Sequence, residues 1–257
     1  MASKFGIVTA AGSGMGRAGA VRFAREGAAV AVADIDAARV AALVAEIEQA
    51  GGRVIGLPGD LRDDAFCRDI VARAVAAFGR LDFVWNHLGH PGPSAIEGID
   101  MEDFDLAVDL NLRSVLVTTA AAIPHMLARG TGSLLYTAST SGIQGSPFSP
   151  VYSACKFGVI GFARSLAKRY GRQGIRANVV CPGSIDTPML RVFVARPDQE
   201  STAGKDPEDL VQRRVTASAF GRAGQPEEVA NAALFLLSDE ASFVSGAVLS
   251  VDGAATA

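Results

Sequence analysis

Short runs of β-branched and other apolar residues alternate with longer amphipathic stretches along this chain, and no other feature restricts its fold as much. Runs that read as strands are Phe5–Thr9, Ala29–Ala33, Val54–Leu57, Phe83–Trp85, Ser133–Thr137, Arg176–Val180 and Val248–Val251. Between them, apolar spacing predicts helices over Gly16–Glu26, Ala37–Ala50, Asp63–Phe78, Met101–Arg129, Tyr152–Tyr170, Pro207–Ala217 and Pro226–Leu237. Strand–helix–strand units in series call for a parallel sheet with crossover helices on its faces. Several strand runs are apolar throughout, as strands covered on both faces must be. The expected fold is a single α/β domain over 1–257, with a doubly wound, seven-stranded parallel sheet and helices on both faces. One long irregular stretch remains, Thr187 to Asp206, mixing Pro188, Met189, Leu190, Phe193 and Val194 with charges. Because it follows a strand end, we expect a mobile cover over a substrate near 187–217 rather than a solvated surface loop.

Composition removes several function classes. The net charge of −3 and pI of about 5.7 do not suggest nucleic acid or an anionic membrane as a partner. Cys67, Cys155 and Cys181 form no CxxC pair, which fits a reducing, cytoplasmic setting with no disulfide framework. His87, His90 and His125 lack metal-ligand spacing, so no metal is expected. Met1-Ala-Ser-Lys runs directly into a strand, which reads as no signal peptide, and no apolar run reads as long enough to span a bilayer.

Thr9-Ala-Ala-Gly12-Ser13-Gly14-Met15-Gly16 lies between the first strand and first helix. Glycines there let backbone approach a pyrophosphate, and the helix start supplies N–H donors; this is the dinucleotide-binding turn of a Rossmann fold. Asp34 ends the second strand, eighteen residues past Gly16. A carboxylate at that place accepts from ribose hydroxyls and repels a 2′-phosphate. No Arg or Lys stands at Ser13, Ile35 or Asp36, and Arg39 reads as a solvated helix residue. NAD is therefore expected over NADP. Further on, Tyr152-Ser-Ala-Cys-Lys156 follows Ser139 by thirteen residues. On a helix, Lys156 lies one turn from Tyr152 on the same face. An ammonium beside a phenol favours the phenolate, bringing its proton exchange nearer neutral pH than the usual value of about 10. Ser139 falls at the carboxyl end of a strand, where open α/β sheets bind ligands. Hydroxyl, phenol and amine together suit proton transfer at an alcohol or carbonyl.

These pieces resemble the classical short-chain dehydrogenases/reductases, in particular the 3-oxoacyl-[acyl-carrier-protein] reductase-like branch. The resemblance spans nearly the whole chain: the Gly-rich turn, Asp60-Leu61, Asn86, Asn111 in Asp-Leu-Asn-Leu, Ser139, Tyr152-x-x-x-Lys156, Pro182-Gly183 with Thr187, and the tail Ser245-Gly-Ala-Val-Leu-Ser-Val-Asp252-Gly. It implies that Tyr152 is the acid/base, that Ser139 holds the substrate oxygen, and that Lys156 binds the nicotinamide ribose. Asn111 would fix a water in a proton relay. Gly12, Ser13, Met15, Asp34 and Ile35 would contact the cofactor, with Asp60 and Leu61 at the adenine and Asn86 on the adenosine side. Ile185 and Thr187 would hold the carboxamide. Two departures stand out. Ala10 replaces the first turn glycine, which is strained only if φ is positive, and Gly12 could relieve the turn one step later. Asn86-His-Leu-Gly89 and His90 replace the family's Asn-Asn-Ala-Gly; His87 reads as a buried imidazole, while His90 reads equally as structural or as a substrate contact. Expected cavity walls are His90, Ile143, Gln144, Phe148, Gly183, Met189 and Phe193.

The function so implied is an NAD(H)-dependent secondary-alcohol dehydrogenase/ketone reductase acting on a small molecule. Alternatives are an NADPH-dependent 3-oxoacyl-[acyl-carrier-protein] reductase, against which Asp34 argues, and a non-catalytic dinucleotide sensor, against which the complete Asn111, Ser139, Tyr152 and Lys156 set argues. The long helices Met101–Arg129 and Tyr152–Tyr170 resemble those that pair between subunits in the family, so a homotetramer with 222 symmetry is expected.

Overall fold

The computed structural model describes residues 1–199, 201–216 and 218–257. Its strands are β1 (Phe5–Thr9), β2 (Ala29–Asp34), β3 (Arg53–Pro58), β4 (Phe83–Asn86), β5 (Gly132–Thr137), β6 (Ile175–Pro182) and β7 (Val248–Val251). All pair in parallel in the order 3-2-1-4-5-6-7. This is the Rossmann-like arrangement expected. The chain winds outward from β1 to β3, returns, and winds the other way from β4 to β7. The switch point between β1 and β4 opens a crevice at the carboxyl ends of the strands, where such sheets bind ligands.

The helices are α1 (Gly14–Arg25), α2 (Ala37–Gln49), α3 (Asp64–Phe78), α4 (Met101–Val108), α5 (Ser114–Leu127), α6 (Pro150–Tyr170), α7 (Pro188–Val194), α8 (Pro207–Thr216) and α9 (Pro226–Leu237). Asp36, Asp63 and Asp100 cap α2, α3 and α4 through their carboxylates, satisfying N–H groups that have no partner within the helix. Helices α1, α2 and α9 cover one face of the sheet; α3, α5 and α6 cover the other. The approach of α1 to β4 needs glycine: a Cβ on Gly19 would lie 2.1 Å from the Trp85 ring.

Three expectations need correction. The helix expected over Met101–Arg129 is α4 and α5 joined by a π-turn, Asp109–Arg113, which holds Asn111. Met101–Leu127 as a whole is long and apolar enough to cross a membrane, with mean hydropathy 1.4, contrary to the reading that no run was. It packs against α3 and α6, and half-buried packing of this kind demands the same apolar residues. The stretch 187–206 is not wholly irregular. Pro188 starts α7, where its fixed φ suits a first helical turn. Leu190 and Val194 of α7 pack with Val211 and Val215 of α8 in a small core of their own. Each such buried aliphatic side chain contributes roughly 1.5–3 kcal/mol. Ala217, predicted to end the helix that starts at Pro207, and Glu200, within the expected cover, lie outside the described residues.

Candidate active site

A cavity of about 300 Å³ opens at the switch point. Its walls come from the turn after β1 (Ala10, Ser13–Met15), the end of β2 (Asp34, Ile35), the loop after β4 (His87–Gly89), the β5 end (Thr137–Ser141), α6 (Tyr152, Lys156), the β6 end (Pro182–Ile185, Thr187) and the α7–α8 flap. A second hollow shares Ala10, Asp34 and Ile35 and adds Gly59 to Arg62, with Asp60 and Leu61 among them.

Tyr152 sits in the first turn of α6 and is 8% exposed. Phe193 of α7 meets its ring edge-on, centroids 5.0 Å apart. Lys156, one turn on, is 1% exposed and lies 5.4 Å from the Tyr152 ring centroid. Its ammonium donates to the carbonyls of Leu88 (3.0 Å) and Thr137 (3.1 Å). Gly89 marks where the site converges: a Cβ there would lie 3.5 Å from Asn111 Oδ1, 3.7 Å from Lys156 Nζ and 4.0 Å from Tyr152 Cε2. Ser139 begins a single 3₁₀ turn, accepting from the Ser141 N–H at 3.1 Å, and lies on the cavity wall with Tyr152, near enough to lower its pKa.

Burial governs protonation at this site. Burial pushes the Tyr152 phenol up to about 12, opposed by the Ser139 hydrogen bond. Burial also brings Lys156 down to about 8. The phenol is therefore raised rather than lowered as expected, with burial of the phenolate as the largest cause. His87 is pushed down to about 3, by burial first and by Lys156 second. Its Nδ1 meets the Thr137 hydroxyl at 2.9 Å, so it is hydrogen-bonded as expected, but it is half-buried and stands at the cavity wall rather than inside the core.

Asn111, completely buried in the π-turn, donates to the carbonyls of His90 and Ala107, both at 2.8 Å, and accepts from the His90 N–H at 3.1 Å. Both amide hydrogens are thus spent on the loop after β4 and on the helix. His90 turns its Nδ1 to the Gly92 N–H at 3.2 Å and does not line the cavity, which favours its structural reading. Of the expected walls, Gly183, Met189 and Phe193 line the cavity; Ile143, Gln144, Phe148 and His90 do not. Phe148 points outward, 57% exposed. Asn86 is buried with its amide toward Thr119 at 3.4 Å, so it underpins the cleft rather than lining it.

The cofactor positions fit a dinucleotide. Ser13 stands at the start of α1 without capping it, and the first turn carries no acid, unlike α3 and α4, so its N–H groups are left to an anion. A Cβ on Gly16 would meet the Ala10 carbonyl at 2.4 Å, so only glycine closes this turn. The strain falls where it was feared: Ala10 has φ +49°, and the relieving glycine is Gly14 (φ +51°), not Gly12. Gly12 instead donates its N–H to Asp34 Oδ2 at 2.8 Å, while Asp36 N–H binds Oδ1 at 3.0 Å, orienting the carboxylate at the rim. Arg39 is engaged with Asp36 at 3.1 Å. Asp60 is held by the Arg62 backbone and guanidinium. Thr187 donates to the Ile185 carbonyl at 3.3 Å, its methyl close over Gly14. Two features escaped sequence reading. Arg214 of α8 reaches the cavity wall, and Arg196, 4% exposed, ties the end of α7 to Ser149 and the Gly92 carbonyl. Neither sits in a motif, so only the folded chain reveals them.

Comparisons with known proteins agree with this geometry. The family model described as "Enoyl-(Acyl carrier protein) reductase" matches residues 9–256. The (2S)-[(R)-hydroxy(phenyl)methyl]succinyl-CoA dehydrogenase subunit BbsD of Thauera aromatica is 36% identical, over 98% of this chain and 96% of that protein. The crystal structure of levodione reductase superposes with TM-score 0.92 at 33% identity, covering 98% of this chain and 97% of that one. A single-residue variant of actinorhodin polyketide ketoreductase, solved with NADPH, gives TM-score 0.92 at 32% identity over 98% of both chains.

Proposed function

The chain belongs to the classical short-chain dehydrogenase/reductase family, and we propose that within it the protein is an NAD(H)-dependent oxidoreductase interconverting a secondary alcohol and its ketone. The observation that carries this reading is the convergence of Ser139, Tyr152 and Lys156 on one wall of the switch-point cavity, beneath Phe193. The relatives, named as a succinyl-CoA-type dehydrogenase, a levodione reductase and a polyketide ketoreductase, support the reaction class. When bound, the dinucleotide supplies the hydride acceptor or donor. The residues that would hold it are Ser13, Gly14 and Met15 at the pyrophosphate, Asp34 and Ile35 at the ribose, Leu61 and Asp60 at the adenine, and Ile185 and Thr187 at the carboxamide.

The chain's own part is proton transfer and positioning. Ser139 and Tyr152 present two hydroxyls to one substrate oxygen, holding it while the phenol gives or takes the proton. Lys156, fixed by two backbone carbonyls, keeps a positive charge beside the phenol where a negative charge develops during oxidation. Phe193 and Met189 exclude water from that oxygen. Asp34 supports NAD over NADP, since a 2′-phosphate would meet a carboxylate held in place by two N–H groups. Assembly as a tetramer is supported by apolar residues left on the outer faces of α5 and α6, Leu116 and Phe157, and by fully exposed Phe243 before β7. The test is turnover of a panel of secondary alcohols and ketones with each cofactor, followed by absorbance of the reduced nicotinamide. Tyr152→Phe should lower turnover about 10²–10⁴-fold while NADH still binds. Near wild-type turnover in that variant, or equal use of both cofactors, would overturn the corresponding part of the proposal.

A further inference from the structure

Three cations line the two hollows of the cleft, and their partners differ. Arg62 is paired with Asp60 at 2.5 Å. Lys156 is committed to two carbonyls beside the phenol. Arg214 has only a neutral partner, the Ser184 hydroxyl, which accepts from its Nε at 2.9 Å; it pairs with no carboxylate among the described residues. Its neighbour in the flap, Arg191, is by contrast neutralised by Asp186 and Glu208. The one acid lining the main cavity, Asp34, is already bonded to two backbone N–H groups at the end of β2. The rest of the flap wall is apolar: Met189, Leu190 and Phe193. A guanidinium at such a wall, with one N–H anchored and the remaining donors unassigned, is built for a planar pair of oxygens.

From this we infer that Arg214 is the anion-binding residue of the cavity, accepting a carboxylate or phosphate group of the bound ligand. Ser184 sets the guanidinium from the loop after β6, and packing of Val211 and Val215 against Leu190 and Val194 fixes the backbone on either side of it. Two molecules could bring the anion: a substrate with a carboxylate beyond its hydroxyl, or the dinucleotide through its pyrophosphate. The inference rests on the proposed oxidoreductase reading and adds a ligand class to it.

Calorimetric titration of the full chain separates these sources. The probes are butanoate, pentanoate and hexanoate against the matching amides, with NADH present, and ADP-ribose alone. Variants are Arg214→Met, which keeps the stem, and Arg213→Met, which removes the adjacent exposed charge; thermal unfolding checks that both are folded. If a substrate carboxylate is the partner, at least one acid binds about tenfold or more tighter than its amide. That ratio then collapses in Arg214→Met and persists in Arg213→Met. If the pyrophosphate is the partner, Arg214→Met weakens ADP-ribose by a similar factor and wild type shows no acid preference. The inference is overturned if neither quantity moves more than twofold in Arg214→Met, or if Arg213→Met moves it equally, which would make the effect one of net charge. Failure of the oxidoreductase reading looks different: wild type would not bind NADH, and the acid-to-amide ratio would still be read.

Discussion

Replacing Ala10 with Gly should stabilise the protein, although substitutions to glycine in ordered segments usually do the reverse. Ala10 holds φ at +49°, in the left-handed region. A Cβ in that region costs about 1–2 kcal/mol, which glycine avoids. Against this, glycine gives the unfolded chain more freedom, worth about 0.4–1 kcal/mol. Ala10 lines both hollows and is not part of the buried core, so loss of its methyl should cost little packing. The balance is about 1 kcal/mol in favour of Ala10→Gly, or roughly 2–4 °C in Tm for a chain of this size. Thermal unfolding followed by circular dichroism without nucleotide reads this directly. A Tm lowered by more than about 2 °C would mean that the methyl packs against something that matters, and the strain argument would be wrong.

The opposite is expected of Gly16→Ala: its Cβ would press into the Ala10 carbonyl, 2.4 Å away, the turn must open, and NADH affinity measured by fluorescence should fall about tenfold or more, a cost of about 1.4 kcal/mol or more. Unchanged affinity would remove this turn from the cofactor site. Asp34→Ala removes both the proposed ribose contact and the repulsion of a 2′-phosphate, so the ratio of kcat/KM for NAD over NADP should narrow; an unchanged ratio would place the discrimination elsewhere. The pH profile of kcat/KM for alcohol oxidation follows from Tyr152 near 12 and Lys156 near 8. If the active form pairs phenolate with ammonium, its population rises with unit slope up to about pH 8 and is flat above, because each further phenol proton lost is matched by loss of the ammonium. A profile still climbing at unit slope past pH 10 would assign the titration to the phenol alone. Light scattering at micromolar concentration should give a tetramer mass, and a monomer would refute the proposed assembly.

How legible each feature was depends on the range of the interaction behind it. Strand and helix positions follow from local periodicity, and the seven strands came out within two residues at either end. The pairing of Tyr152 with Lys156 is equally local, since one helical turn carries both. Asp34 was legible because a strand end and a Gly-rich turn in one βαβ unit must meet. What could not be read depended on contacts between distant segments. Arg196 closes on Gly92 and Ser149, and Arg214 on Ser184 thirty residues back. The helix α7 was missed because its seven residues are too few to show a period, and only packing on α8 makes them helical. His90 was ambiguous in sequence because its choice between cavity and Gly92 is made by Asn111, twenty-one residues away.

The sign of the Tyr152 shift bears on how such a site works. An ammonium one turn away was expected to ease ionisation, yet burial governs both groups: the phenol rises and the amine falls. At neutral pH the pair therefore rests as phenol and ammonium, the form that donates a proton. A ketone entering this cavity meets a ready acid, whereas an alcohol must first pass its proton to a phenol that has lost one. Lys156 lowers the second requirement without abolishing it, because its ammonium is held by the Leu88 and Thr137 carbonyls rather than by the phenol. That anchoring keeps the charge close to the phenol, which under the proposed reading faces the substrate oxygen. Lys156→Met, which removes the charge and keeps the stem, should therefore depress alcohol oxidation at pH 8 more than ketone reduction at pH 6. Equal losses in the two directions at those pH values would mean that Lys156 acts only as a cofactor ligand.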